Sequence, residues 1–388
     1  MEPYFGVVPQ IDARQERGQK IATAEGQVRR IDEHTYKVHS QSGDFWYDVL
    51  SGELGWICSC PDFMFRPYVE RCKHVWSAII SLELRKRVER SVVIQPISTR
   101  TCPSCQSEKI IRKSVRHNKG YDLQRFLCRT CGKRFSFNMG FERMRASPQA
   151  VTSAMQLYFS GESFGGVKNF LALQGVNVSR QSVYNWVRKY VALMDGYLDQ
   201  ITPQLGDHWR ADEMYVKFKG NRKYLFAMMD DETRFRIAQE VAHWKETHDA
   251  SNLFRQAREV AEKVPKKLTT DGLKSYRTAF VQEFQSVDKD AVHVQEIQLD
   301  GEVHNNLMER QNGEVRDREK VMRGLKRMDT PILKGVQIYH NFIKPHEGLQ
   351  GRTPAEAAGI RIEGEDKWKT LIQNAVRDDG IKPRSLSP

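Results

Sequence analysis

Apolar positions recur every three or four residues between 147 and 193, and every second residue between 207 and 242, so the chain passes from helical to strand texture near residue 205. In the first stretch SPQAVTSAMQLYFSG offers Ser147 as a cap, proline at the first helical position, and Val151, Met155 and Phe159 on one side. FGGVKNFLALQG predicts a second helix stopped by Gly175. SRQSVYNWVRKYVALM predicts a third, capped by Ser179, with Val183, Trp186, Val187 and Tyr190 on one face. Next come three strand-like runs, DHWRADEMYVKF, RKYLFAMMDD and RFRIAQEVAH, with turns expected at Gly220–Asn221 and Asp231–Thr233. A helix over about 246–263, a strand KKLTTD, another helix, a strand AVHVQEI and a long helix from about residue 303 complete the pattern. Three consecutive strands followed by alternating helices and strands predict a mixed sheet with helices on its faces. Ahead of residue 100 the short runs TYKVHS and FWYDVL alternate as strands and VWSAIISLEL is helical.

At 388 residues the chain has room for two or three domains, with an ordinary 39% hydrophobic and 28% charged content. No run approaches the roughly 18 apolar residues of a membrane span, and MEPYFGVVPQ has neither a basic leader nor an apolar core, so no membrane or secretory role is expected. The net charge is +12, and residues 101–146 alone hold eleven Lys or Arg against three acids, an excess of +8. Two thirds of the imbalance thus sits in one short segment, the footprint of a phosphate-backbone binder.

All seven cysteines lie between Cys58 and Cys131, an odd and clustered set that suits metal sites better than a disulfide framework. Cys58, Cys60, Cys72 and His74 form C-x-C and C-x-H pairs, and three thiolates with an imidazole suit tetrahedral zinc. With the two preceding strands, the following helix and the Cys-Pro-Asp-Phe run at Cys60–Phe63, residues 27–85 resemble a SWIM-type zinc finger. Cys102, Cys105, Cys128 and Cys131 form two C-x2-C knuckles around a hairpin-length insert, the pattern of a zinc ribbon. A segment this short cannot bury an adequate core, and zinc worth on the order of 10 kcal/mol would supply the deficit. Both zinc ions are expected to be structural, because four protein ligands leave no open position. In the ribbon Tyr121, Phe126, Phe135 and Phe137 read as core, and Arg112, Lys113, Arg116, Arg125, Arg129, Lys133 and Arg134 as a phosphate-facing surface.

The three short helices of 147–193 resemble a helix-turn-helix, whose third helix would enter the major groove and present Arg180, Gln181, Tyr184, Asn185 and Arg188. Farther on, alternation in WRADEMYVKF puts Asp212 with Met214, Val216 and Phe218 on the apolar face, where an unpaired carboxylate costs several kcal/mol. Glu213 falls on the face with the lysines and calls for no special role. Asp271 ends a strand before Gly272, and Glu309 shares a helical stripe with Asn305, Asn312 and Arg316.

The runs WRADEMYVK, TTDGLKSY and NNLMERQN, with the tail YHNFIKPHEGLQGRTPAEAAGI, resemble the DDE transposases of bacterial and archaeal insertion sequences, in the retroviral-integrase superfamily. In that tail the likeness rests on Tyr339, Pro345, His346, Gly348, Leu349, Thr353 and Pro354. The resemblance, over residues 147–360, implies a ribonuclease-H-like core whose catalytic acids are Asp212, Asp271 and Glu309. One departure is Asn312, where such families often carry a basic residue or His; Arg316, one turn on, would then contact DNA. Clustered carboxylates repel one another unless cations neutralise them, and hard oxygen donors select two magnesium or manganese ions. Such a pair would activate water or a DNA 3′-hydroxyl and stabilise both oxygens at phosphorus. Asn305, Arg310 and Arg316 would tune DNA placement.

The sequence therefore predicts a multi-domain α+β protein: a SWIM-type module over 1–90, a zinc ribbon over 98–146, a helix-turn-helix domain over 147–200, a ribonuclease-H-like α/β catalytic core over 205–362, and a C-terminal helix or polar tail over 363–388. Its expected function is that of a DNA transposase that binds element ends, cleaves them and joins the 3′-hydroxyl to target DNA. Its partners would be double-stranded DNA and at least one further copy of the chain, in the nucleoid-associated cytoplasm of a prokaryote. A non-catalytic DNA-binding regulator and a metal-dependent nuclease without joining activity are the alternatives.

Overall fold

The computed structural model describes residues 13–24, 26–32, 34–52, 55–66, 71–87, 91–97, 101–118, 121–295, 306–322, 325–326 and 330–381. The front of the chain builds helix α1 (Ala13–Thr23) and four antiparallel strands, β1 (Val28–Arg30), β2 (Thr35–His39), β3 (Trp46–Gly52) and β4 (Gly55–Cys58), paired in that order. A short helix α2 (Pro61–Met64) and a longer α3 (Lys73–Arg87) follow. Helices α1 and α3 meet at Gly18, where an added Cβ would lie 2.5 Å from that of Trp76. The core here is small: nine buried residues, three of them Cys58, Cys60 and Cys72.

After strand β5 (Val92–Ile94) comes a three-stranded sheet of β6 (Ile110–His117), β7 (Asp122–Cys128) and β8 (Arg134–Phe135). Its described residues bury almost no apolar side chain besides Cys102 and Cys128. The rings of Phe126, Phe135 and Phe137 meet at 4.8–6.0 Å while remaining partly exposed. Tyr121 is likewise half-buried.

Three helices come next, α4 (Pro148–Ser160), α5 (Phe164–Leu173) and α6 (Arg180–Leu198). Each starts on a serine whose side chain accepts a backbone N–H of the first turn: Ser147 from Ala150, Ser163 from Gly166, Ser179 from Ser182. Gly175 takes φ +78, a left-handed stop open to glycine.

The largest sheet has five strands in the order β11-β10-β9-β12-β13, with β9 (His208–Phe218), β10 (Asn221–Asp230) and β11 (Arg236–Ala242) antiparallel. After helix α7 (Thr247–Ala261), strand β12 (Lys267–Thr269) joins β9 in parallel; after α8 (Lys274–Phe280), strand β13 (Val292–Val294) joins β12 in parallel. The mixed sheet that the pattern predicts is present. The first hairpin turns at Lys219–Gly220, with φ of 50 and 83, one residue earlier than expected; this is a two-residue turn with both central residues left-handed. Helices α7 and α8, with the π-helical turn Val281–Gln285 that continues α8, cover one face, burying Phe254, Tyr276 and Phe284 against the sheet. Helix α9 (Asn306–Met322) lies on the other, with Met308 against Ala227 and Met229.

Helix α10 (Pro331–Ile338) packs on α6, and the tail continues through α11 (Pro354–Ala357), β14 (Ile360–Ile362) and α12 (Lys367–Ile381). Within the segment expected as a C-terminal helix or polar tail over 363–388, Lys367–Ile381 is helical, and α12 packs on α4 and α6 through buried Trp368, Leu371, Ile372 and Ala375. Strand β14 pairs in parallel with β5, 268 positions earlier. Residues 382–388 lie outside the described residues. Among those described, no helix is long and apolar enough to cross a membrane.

Candidate active site and metal centres

Strand β9 carries Asp212 toward α9 and Glu213 toward α7 and α8, as pleating requires. Asp271 stands two residues past the end of β12, and Gly272 turns the chain at φ +84, where an added Cβ would lie 2.7 Å from the Gln295 carbonyl oxygen. Oxygens of Asp212, Glu213 and Asp271 lie within 4.8 Å of one another. Glu309 sits exposed in the first turn of α9. It falls outside that 4.8 Å group but is close enough for its charge to act on Asp212.

Burial, then the charges of Glu213 and Asp271, with a smaller push from Glu309, raise the Asp212 carboxyl to about 7; a hydrogen bond from the Glu213 backbone opposes them. Three hard oxygen donors that repel one another at this spacing fit a divalent cation. The two glutamates differ sharply. The Glu213 side chain is only 3% exposed; it is held by Lys245 on one oxygen and accepts the Tyr276 hydroxyl at 3.0 Å on the other. Buried and charge-paired with Lys245, Glu213 supports the cluster, whereas exposed Asp271 and Glu309 retain oxygens that face solvent. Sequence alternation places Glu213 with the lysines and assigns it nothing; its two partners come from distant segments, so no local signal marks it.

Asn312, one turn beyond Glu309, donates from its amide to Asp212 at 2.7 Å and is buried. That contact gives Asn312 the place that sequence reasoning leaves open: a neutral donor that fixes one Asp212 oxygen. Helix α9 is itself anchored at two points. Gln311 accepts the buried Arg236 guanidinium at 3.2–3.3 Å and meets His340 Nε2 at 2.9 Å. Burial brings Arg236 down to about 10, with Glu314 opposing. Near the other end, Arg318 donates to the Glu162 carbonyl and stands 4.7 Å from the Tyr158 ring. Arg310 and Arg316 are exposed on α9, and Asn305 lies outside the described residues.

In the front module Cys58 ends β4, Cys60 caps α2, and Cys72 and His74 flank the start of α3. All four are buried with ligand atoms within 4.8 Å, and His74 Nε2 has no hydrogen-bond partner among the described residues. His74 Nδ1 lies 4.0 Å from Cys58 Sγ, and an imidazole nitrogen beside three thiols fits a zinc centre. Cys102, Cys105, Cys128 and Cys131 form a second group within the same spacing, the first and third buried and the other two exposed, with sulfur pairs at 3.6 and 3.7 Å. Its two knuckles share one geometry: the amide of Gln106 donates to the Cys102 carbonyl and that of Gly132 to the Cys128 carbonyl, both at 2.9 Å, and both residues are left-handed. Arg112, Lys113, Arg116, Arg125, Arg129, Lys133 and Arg134 are all exposed around it. On α6, Arg180, Gln181, Asn185 and Arg188 are exposed and Tyr184 is half-buried, opposite the buried Val183, Trp186, Val187 and Tyr190.

Residues 206–346, which hold Asp212, Asp271 and Glu309, match the family model of a DDE domain of the IS240 transposase type. The chain is similar to the transposase for insertion sequence-like element IS431mec of Staphylococcus aureus, with 25% identity over 227 residues, 57% of this chain and 98% of that one. It is similar to the transposase for element IS257 in transposon Tn4003 of the same species, with 24% identity over the same shares. Among solved structures, the HTLV-2 integrase catalytic core domain in complex with magnesium matches with a TM-score of 0.31 and 20% identity, covering 41% of this chain and 98% of that chain.

Proposed function

We propose that this chain is the transposase of an insertion sequence, which binds the element's ends, cuts DNA there and transfers the 3′-hydroxyl into a target. The observation that carries this reading is the carboxylate cluster of Asp212 and Asp271, with Glu309 on the helix above it, inside the segment that matches a DDE domain. Asp212, Asp271 and Glu309 would hold magnesium or manganese, which would supply Lewis-acid activation of the attacking oxygen and charge relief at phosphorus. The chain's own residues set the geometry. Asn312 orients Asp212, Lys245 and Tyr276 tie down Glu213, and the α9 anchors at Gln311 and Arg318 hold Glu309 over the sheet.

The ribbon cations Arg112, Lys113, Arg116, Lys133 and Arg134 would lie along phosphates, and Arg180, Gln181, Tyr184, Asn185 and Arg188 would read a groove. Asn305, Arg310 and Arg316 would place the strand beside the acids. Two structural zinc ions would hold the SWIM-type and ribbon modules. Handling two ends together calls for a dimer or larger assembly.

The test incubates purified protein with labelled element ends, plasmid, and magnesium or manganese. Joined product is expected, and Asp212→Asn should lower it on the order of 1,000-fold while sparing DNA binding. Cleavage without joining would identify a nuclease; binding without either would identify a regulator.

A further inference from the structure

Beside the acid cluster, on the face of β9 and β10 opposite α9, two tyrosines form a pair that the carboxylate chemistry does not use. Tyr215 is two residues beyond Glu213, so both side chains leave the same face of β9 about 7 Å apart along the strand. Tyr215 is 51% exposed, and its ring meets that of Tyr224, its cross-strand partner, at 4.8 Å. The two hydroxyls are 3.4 Å apart. Two cations stand over these rings: the Arg222 guanidinium 5.7 Å from Tyr215, and Lys245 Nζ 5.7 Å from Tyr215 and 5.0 Å from Tyr224. Lys245 also pairs with Glu213, so one side chain joins the rings to the acids. The residue before it, Trp244, is 69% exposed. Lys217, Lys219 and Arg222 are exposed along the same hairpin.

An isolated exposed tyrosine on a strand needs no explanation. Here a half-exposed tyrosine is backed by a second ring, flanked by cations and one contact away from clustered carboxylates. Stacking on a ring is how proteins hold unpaired bases whatever their sequence, and nearby cations meet the phosphates of the same strand. A duplex offers no free base face, so the occupant that matches this chemistry is a frayed or single-stranded nucleotide. We propose that Tyr215, backed by Tyr224 and joined by Trp244, is a stacking platform for an unpaired base of the DNA strand being processed, with Arg222 and Lys217 at its phosphates. This rests on reading the acid cluster as a DNA-processing centre. It adds that the strand is opened next to that centre.

The test uses the full chain and a labelled oligo-dT of about twelve nucleotides, with a hairpin duplex of equal length as reference, read by fluorescence anisotropy without added divalent cation. Tyr215→Ala and Trp244→Ala should each weaken oligo-dT binding about tenfold while changing duplex binding less than twofold. Tyr215→Phe should bind oligo-dT as the parent does, since the ring suffices. Equal binding by Tyr215→Ala and the parent would overturn the proposal, as would a Tyr215→Phe defect as large as that of Tyr215→Ala. A change in oligomer mass by light scattering with oligo-dT binding intact would make the patch a self-association face and overturn it too. Asp212→Asn separates the two readings: it should abolish strand chemistry and leave oligo-dT binding unchanged. Retained chemistry in that variant would sink the catalytic assignment without touching the platform.

Discussion

The front third and the five-stranded sheet both gather potential metal ligands, by opposite means. Around Cys58, Cys60, Cys72 and His74, and around the ribbon cysteines, the ligands are themselves much of what is buried. Around Asp212 the ligands sit on a scaffold that stands without them, with Trp209, Phe226, Phe254 and Phe284 fully buried beneath. In the first case a bound metal would make the fold; in the second the fold would make a place for metal, at a cost in crowded charge. Soft donors that close a tetrahedron serve stability, whereas hard donors with open positions serve chemistry.

The widest gap between the two regions should open when zinc is withdrawn. A zinc-selective chelator should remove on the order of 10 kcal/mol from the ribbon, so limited proteolysis should cut within residues 101–137 while a fragment from about residue 147 onward persists. A ribbon that stays resistant would mean that its phenylalanine cluster suffices. A smaller effect of opposite sign is expected in the sheet. In magnesium-free buffer, Asp212→Asn should stabilise the core by about 1–3 kcal/mol, because it removes one of three mutually repelling charges. Thermal melting should show the gain, and added magnesium should narrow it. A loss of stability would mean that the bond from Asn312 outweighs the repulsion.

How much of this is legible in the sequence depends on whether the signal is local. Alternation along β9 puts Asp212 on the α9 face, cysteine spacing marks both candidate zinc sites, and a serine before an apolar helical run marks Ser147 and Ser179 as starts. Glu213 carries no such mark, because Lys245 and Tyr276 reach it from 32 and 63 positions away. Asn312 has no partner in the sequence pattern because Asp212 is 100 positions away. The docking of α12 is hidden for a related reason: its polar residues dominate the composition, while Trp368, Leu371 and Ile372 form a narrow apolar stripe whose partners lie on α4 and α6.

The smallest effect tests the sheet's rim, away from any metal. Asp231 feels burial, which would raise its carboxyl, but hydrogen bonds from His208 and Arg210 prevail and hold it well below the usual carboxylate range. A carboxyl depressed on folding adds stability above its unfolded value near 4 and loses it as pH falls further. Asp231→Asn should therefore cost about 1 kcal/mol at pH 7, and chemical denaturation should show the gap shrinking below about pH 4. A gap independent of pH would point to lost packing instead.

The parallel pairing of β5 with β14 decides where the front of this chain can be cut away. A shortened protein beginning at Ser91 would keep Val92–Ile94 against Ile360–Ile362. One beginning at Pro96 would bare that hem, leaving the Ile360–Ile362 backbone as a template for a stranger's strand. By the stitching of its backbone, this short strand belongs to the rear of the molecule, although the sequence carries it between two cysteine-rich modules.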